Sequence, residues 1–281
     1  MTLPFDLGAP PDPLAYFRSV VADEDSLPLA EAAALLGQID EPELDVASVL
    51  TQIDTLAARL LRRLPPDASG LHRARTLSHF FYAELGFAGA VNDWRNPDNS
   101  YLHRLLERRR GIPISLAVLY GELARQIGLR ASGVSFPGHF LIKLRLAQGE
   151  VIIDPLNGQS QTREMLLARL APLMGFATPP LSALLRDATP RETLARMLAN
   201  LKLLFEAEAD WERLLAVQHR LVAVLPDDWG ERRDRGRTRA QLGDLAGAAA
   251  DYAEYLHHCG DAADAALLRQ QLAEWDGHQE R

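Results

Sequence analysis

Apolar residues return at intervals of three and four along most of this chain, and the interval changes only once, near the middle. Leu50, Ile53, Leu56, Ala57, Leu60, Leu61 and Leu64 form one such series, which predicts a helix halted by Pro65-Pro66. Leu71, Leu77, Phe80, Phe81 and Leu85 predict another, closed by Gly86. Farther on, Asn99 or Ser100 is expected to cap a helix carrying Tyr101, Leu102, Leu105 and Leu106 on one face. Arg108, Arg109 and Arg110 would fill its last turn, where cations suit the helix dipole, with Gly111 as the stop. Pro113 is then well placed as the first residue of a helix that buries Leu116, Leu119, Tyr120, Leu123 and Ile127 and ends at Gly128.

After Gly128 the period becomes two. Residues 131–136 read as a strand. Beyond Pro137-Gly138, Phe140, Ile142, Leu144 and Leu146 alternate with His139, Leu141, Lys143 and Arg145. Gln148-Gly149 offers a turn into a short third strand, Val151-Ile152-Ile153, that ends in Asp154-Pro155. From about Pro190 the helical pattern resumes and repeats at an offset of 34 residues: Ala209 matches Gly243, Leu214 matches Ala248, Gln218 matches Tyr252, Leu221 matches Tyr255 and Pro226 matches Gly260. That period resembles tetratricopeptide repeats, with Gly236, Gly243, Ala248 and Tyr252 fitting their pattern best and a last helix at 262–275 as the cap.

The expected fold class is therefore α+β: a helical N-terminal part and a small antiparallel sheet, followed by an all-α tail. The expected divisions are a proline-rich flexible arm at 1–12, a core at 13–188 and a repeat tail at 189–281. Within the core, 13–90 is the helical lead-in and 91–160 holds the denser motifs.

Composition narrows the function. The 281 residues are 47% apolar and 24% charged with a net charge of −8, which suits an ordinary globular protein. A net acidic chain argues against a nucleic-acid partner. Lys143 and Lys202 are the only lysines, so arginine supplies 28 of the 30 basic residues, a bias better explained by coding than by anion contacts. The single cysteine, Cys259, excludes an internal disulfide and any metal centre built from several thiolates of this chain. No apolar run reaches the ~20 residues of a membrane span, and the first residues lack a signal-peptide pattern, so a cytoplasmic location is expected and no membrane partner.

The middle of the chain also offers a chemical arrangement. A helix begins at Pro113, a histidine opens a strand at His139, and an aspartate closes the next strand at Asp154. A nucleophile at a helix N-terminus, with an imidazole held by a carboxylate, is how acyl-transfer sites are assembled. A plain hairpin turn at Gln148-Gly149 would set Asp154 opposite Ile142 or Lys143, so a bulge or longer loop is needed to bring it to His139.

The segment Asn99-Ser100-Tyr101-Leu102, Arg109, Gly111-Ile112-Pro113-Ile114-Ser115-Leu116, Gly128-Leu129, Gly133-Val134, Phe136-Pro137-Gly138-His139-Phe140-Leu141 and Asp154-Pro155 resembles the SirB-type branch of the transglutaminase-like superfamily. The resemblance runs over roughly residues 30–260, and such proteins often carry tetratricopeptide-like helices after the core. It implies a papain/transglutaminase-like core. It also implies a Cys–His–Asp triad in competent members, with His139 and Asp154 matching the last two. The cysteine position falls at or beside Pro113. Proline supplies neither a thiol nor an N–H for an oxyanion hole.

Ser115 is the one nearby hydroxyl, but two residues on it points roughly 200° around the helix. Its ordinary role would be hydrogen bonding within the first helical turn. Arg232–Arg239 would ordinarily be a solvated face, the alternative being a groove for an acidic peptide. His257-His258 beside Asp261 lacks metal-ligand spacing, and no metal or cofactor is implied. The leading expectation is a non-enzymatic protein, a possible pseudoenzyme, that binds a protein or peptide partner through residues 189–281. The alternative is a hydrolase or acyltransferase on amide or ester bonds, using His139 and Asp154 without a cysteine. Neither reading assigns an oligomeric state.

Overall fold

A computed structural model of the protein describes residues 12–90, 93, 95–172 and 179–279, so most of the expected arm at 1–12 lies outside the described residues. The chain enters through α1 (Pro13–Val20), which the Asp12 carboxylate caps by accepting the Ala15 N–H. Helices α2 (Leu29–Leu35), α3 (Val46–Leu61) and α4 (Gly70–Ser78) follow, the last two capped by Asp45 and Ser69. On α3 the apolar stripe turns Ile53, Leu56, Ala57 and Leu60 inward, while Leu61 faces out. α4 widens into a π-turn over His79–Glu84 and stops at Gly86, whose φ of +72° suits glycine.

The next segment departs from the sequence pattern at both ends of its helix. A two-residue strand β1 (Ala88–Gly89) comes first, then a 3₁₀ turn over Pro97–Asn99 capped by the Asn96 side chain. Helix α5 (Leu102–Arg108) begins after Tyr101 with no side-chain cap, so neither Asn99 nor Ser100 caps it. Asn99 is occupied otherwise: its amide donates to the Asp93 carbonyl at 2.5 Å, and its own carbonyl receives the Ile112 N–H. The stop is also displaced. Arg109 takes the left-handed turn at φ +58° with its guanidinium 4.6 Å from the centre of the Phe87 ring. Gly111 belongs instead to β2 (Arg110–Gly111), parallel to β1, where a Cβ would fall 2.7 Å from Ser115 Oγ.

Helix α6 (Pro113–Gln126) runs through the centre of the core with Leu116, Leu119, Tyr120 and Leu123 buried, and it closes at Gly128 with φ +75°. The sheet that packs on it is antiparallel in the order β3 (Arg130–Val134), β4 (Leu141–Leu146), β5 (Gly149–Ile153). Its hairpin turn is at 147–148, one residue earlier than the glycine suggests.

The two-period alternation on β4 does not separate core from solvent, because both faces are covered. Phe140, Ile142 and Leu144 join the main core, whereas Leu141, Val134 and Phe136 pack on Leu166, Leu170 and Leu181. Those last residues come from α7 (Arg163–Leu170) and α8 (Leu181–Leu184). Even Lys143 is buried, its Nζ 2.9 Å from the Asp187 carboxylate.

The tail is α9 (Pro190–Ala207), α10 (Trp211–Val224), α11 (Trp229–Gln241), α12 (Leu245–His258) and α13 (Ala265–Gln279). α10 and α12 are related by the 34-residue offset. Asp210 and Asp244 cap them in the same way, and Ala209 and Gly243 precede the caps with φ of +54° and +81°. Gly236 lets α11 approach α12 closely, since a Cβ there would lie 2.7 Å from the Tyr252 ring.

The main apolar core runs without a break from Phe17 to Val224, so α9 and α10 pack into it, while Tyr252, Tyr255 and Leu268 form a separate cluster. The arginine run on α11 is not simply a solvated face. Arg235 and Arg239 both bond Asp251, and Arg233 bonds Asp234 and Asp264. Cys259 is half-buried at the end of α12. Among the described residues no helix is long and apolar enough to cross a membrane.

Candidate functional site

His139 reaches its position through the turn just before β4. Pro137 and Gly138 are the two central residues of that turn; the His139 N–H donates to the Phe136 carbonyl at 3.0 Å, and Gly138 has φ +66°. Proline then glycine at these places is what a type II turn requires. On the other strand, Ile142 pairs with Ile153, so the straight register sets Asp154 opposite Leu141. Two residues before Leu141, His139 reaches Asp154 diagonally across the end of the ladder. No bulge in β5 is involved.

The resulting pair is close and buried: His139 Nε2 lies 3.0 Å from Asp154 Oδ1, with 8% and 3% of each residue exposed. The same Oδ1 accepts the Leu156 N–H at 3.0 Å, and Oδ2 accepts Arg169 Nη2 from α7 at 2.9 Å. The loop after Asp154 is pinned by Gly158, whose N–H bonds the Asp154 carbonyl, and by Tyr82, whose hydroxyl donates to the Pro155 carbonyl at 3.1 Å. Burial pushes the Asp154 carboxyl up, but the His139 and Leu156 donors and the Arg169 charge outweigh it and hold the group below its ordinary range. An ionised Asp154 can only accept, so in the neutral form of the imidazole the proton sits on Nε2. Nδ1 is then the acceptor, and it has no hydrogen-bond partner among the described residues.

His139 of this pair borders a cavity of about 300 Å³ at the N-terminal end of α6, while Asp154 lies behind it. Pro113 and Ile114 line one wall and His139 and Phe140 another, so the sequence-predicted elements do converge there. Ser115 does not line it. Its hydroxyl donates to the carbonyls of Asn99 at 2.6 Å and Ile112 at 3.0 Å, and the residue is fully buried.

The remaining wall was not visible in the sequence pattern. Arg196, Asn200, Leu203 and Leu204 of α9 close the cavity, and Ser100 lies on it as well. Positions 196, 200, 203 and 204 follow helical spacing and so mark one face of α9, but spacing cannot say which neighbour that face meets.

Chemically, the arrangement contains a base with an orienting carboxylate and an open space beside it. At the head of α6, where a nucleophile would stand, it contains a proline ring. Pro113 has no N–H, leaving Ile114 as the first residue of the helix able to donate into the cavity.

Comparisons with known proteins agree with this architecture. Residues 47–199 match the family described as the transglutaminase-like superfamily, and residues 201–273 match the tetratricopeptide repeat. A UPF0162 protein of Xylella fastidiosa (strain 9a5c) is 33% identical over 238 residues, covering 83% of this chain and 85% of its own. A UPF0162 protein of Vibrio cholerae is 29% identical over 89% of this chain and 93% of its own. Protein SirB1 of Salmonella typhimurium is 24% identical over 87% and 91%. Among solved structures, menin aligns over 85% of this chain and 68% of its own at a TM-score of 0.40 and 11% identity, too little to carry an inference.

Proposed function

Because this chain belongs to the SirB-type family of the transglutaminase-like superfamily and carries Pro113 at the head of α6, we propose that its cleft binds a peptide segment without cleaving it. The observation that carries this reading is the set of groups around one cavity: His139 and Asp154 are joined, space lies beside them, and the nucleophile position holds no nucleophile. Serine chemistry has no support from Ser115, whose hydroxyl is committed to two carbonyls. A core of this kind, followed by tetratricopeptide repeats, suits a protein-binding or regulatory role in which residues 189–281 add further surface for a partner.

The test is an assay of amide and ester hydrolysis and of acyl transfer with the full chain and with His139→Ala. The expected result is no turnover above the level of the variant. Clear turnover that disappears in His139→Ala would overturn the reading. It would favour a second one, in which the unpartnered His139 Nδ1 takes a proton from water that then attacks the carbonyl.

A further inference from the structure

The cavity beside His139 is lined by a cation without an ion-pair partner and a hydroxyl without a hydrogen-bond partner among the described residues. Arg196 is the only formal cation among the residues lining it, and none of them is Asp or Glu. The Arg196 guanidinium meets the neutral Ser135 hydroxyl at 3.1 Å and has no ion-pair partner among the described residues. Most partly buried arginines of this chain differ: Arg145, Arg169, Arg213, Arg233, Arg235 and Arg239 all reach carboxylates.

Ser100 makes the second, independent observation. It is 1% exposed, lies on the cavity wall, and its hydroxyl has no hydrogen-bond partner among the described residues. A buried hydroxyl left unpaired is unfavourable, and a ligand oxygen seated in the cavity would give it an acceptor. The third contribution is α6 itself, a 14-residue helix with no side-chain cap, whose first residues Pro113 and Ile114 line the same space with the positive end of the helix dipole. Around these donors the walls are apolar, with Phe140 and Leu204 inside and Leu203 at the rim, 66% exposed.

We propose that this cavity binds the free carboxylate of an apolar amino-acid residue, such as stands at the C-terminus of a peptide. The proposal deepens the non-cleaving reading above and rests on it. Arg196 supplies the charge, while Ser100, Asn200 and the Ile114 N–H supply donors to the carboxylate. Phe140, Leu203 and Leu204 receive the side chain. His139 Nδ1, an acceptor, suits the N–H that such a residue carries on its acylated nitrogen. Two sources share this chemistry, a peptide C-terminus and a small N-acyl amino acid.

Calorimetric titration of the full chain tests it with three probes: an acetylated pentapeptide Ala-Ala-Ala-Ala-Leu with a free carboxylate, the same peptide as its C-terminal amide, and N-acetyl-leucine. The acid is expected to bind at least about tenfold tighter than the amide, the order of one charge-assisted hydrogen bond. Arg196→Met should remove that preference with an unchanged melting temperature, and Ser100→Ala should weaken the acid without destabilising the protein. N-acetyl-leucine binding as tightly as the peptide supports the site and assigns it to small acids; much weaker binding supports it and assigns it to peptide ends. Equal binding of acid and amide, or no binding of either at millimolar concentration, overturns the carboxylate site and leaves the non-cleaving reading standing. Cleavage of the probe would do the reverse.

Discussion

Asp154 Oδ1 accepts the His139 Nε2–H at 3.0 Å, and that bond determines which edge of the imidazole is left for the cavity. With Nε2 committed, only Nδ1 remains to meet a ligand. The aspartate is held in turn by Arg169 and the Leu156 N–H, so the orientation of the ring is built from three separate elements.

Replacing Asp154 with Ala strands the buried His139 donor and removes the ion pair of the part-exposed Arg169, and is expected to cost about 2–3 kcal/mol at neutral pH, read by urea unfolding. Because the folded-state pKa is lowered, the carboxylate stabilises the fold above its unfolded pKa, and that stability is lost as pH falls through the folded value. Wild type should therefore lose stability below about pH 4. Asp154→Asn should show a flatter acid limb.

His219 provides a second, separable acid transition. Burial, then the Arg235, Arg239 and Arg18 charges, push it down to about 4. The unfolded chain takes up a proton near pH 6.5 and the folded one does not until about 4, so stability falls as pH drops across that window. His219→Gln should remove about 1–2 kcal/mol of this pH dependence, allowing for partial solvent screening. A profile unchanged between pH 6.5 and 4 would contradict the assignment.

Pro113→Cys restores a thiol beside the retained pair. Iodoacetamide alkylation followed against pH should show an apparent thiol pKa about 1–3 units below the ordinary 8.5, drawn down by the α6 N-terminus and His139. Adding His139→Ala should move it back towards the ordinary value. A thiol titrating normally in Pro113→Cys would show that the cavity no longer favours an anion at that position.

Ser115→Ala removes the bond to the Asn99 carbonyl that ties α6 to the 3₁₀ turn before α5. A loss of about 1–2 kcal/mol in denaturant unfolding is expected, with no change in binding at the cavity.

The paired turns of the tail give opposite outcomes. Ala209 adopts φ +54° where its repeat partner Gly243 adopts +81°, so Ala209→Gly should stabilise the protein by about 0.5–1 kcal/mol and Gly243→Ala should destabilise it by a similar amount. Thermal unfolding of the two variants reads the difference.

How much of this was legible depends on where the information resides. The helix at Pro113, its stop at Gly128 and the 34-residue repeat all follow from spacing within one element, because periodicity and turn residues act locally. Three features escaped. Asn99 looked like a cap, but its side chain and carbonyl are taken by Asp93 and Ile112. Gly111 looked like a helix stop, but an arginine stacked on Phe87 bears the left-handed turn and the glycine makes room for Ser115. The alternation on β4 marks two faces but not what covers each, and α7 and α8 pack on the face that carries Leu141.

The candidate site divides in the same way. Sequence by itself determined the chemistry on offer: His139 and Asp154 at strand ends, a proline at the head of α6, and a lone thiol elsewhere at Cys259. Tertiary structure decided what that chemistry faces. A type II turn, which Pro137-Gly138 favours but does not aim, brings imidazole to carboxylate across the strand register. The wall containing Arg196, Asn200 and Leu203 comes from a helix more than fifty residues beyond His139. Side-chain types and periods are local properties of the chain. Which faces come together is a property of packing, and only the folded core, continuous from Phe17 to Val224, settles it.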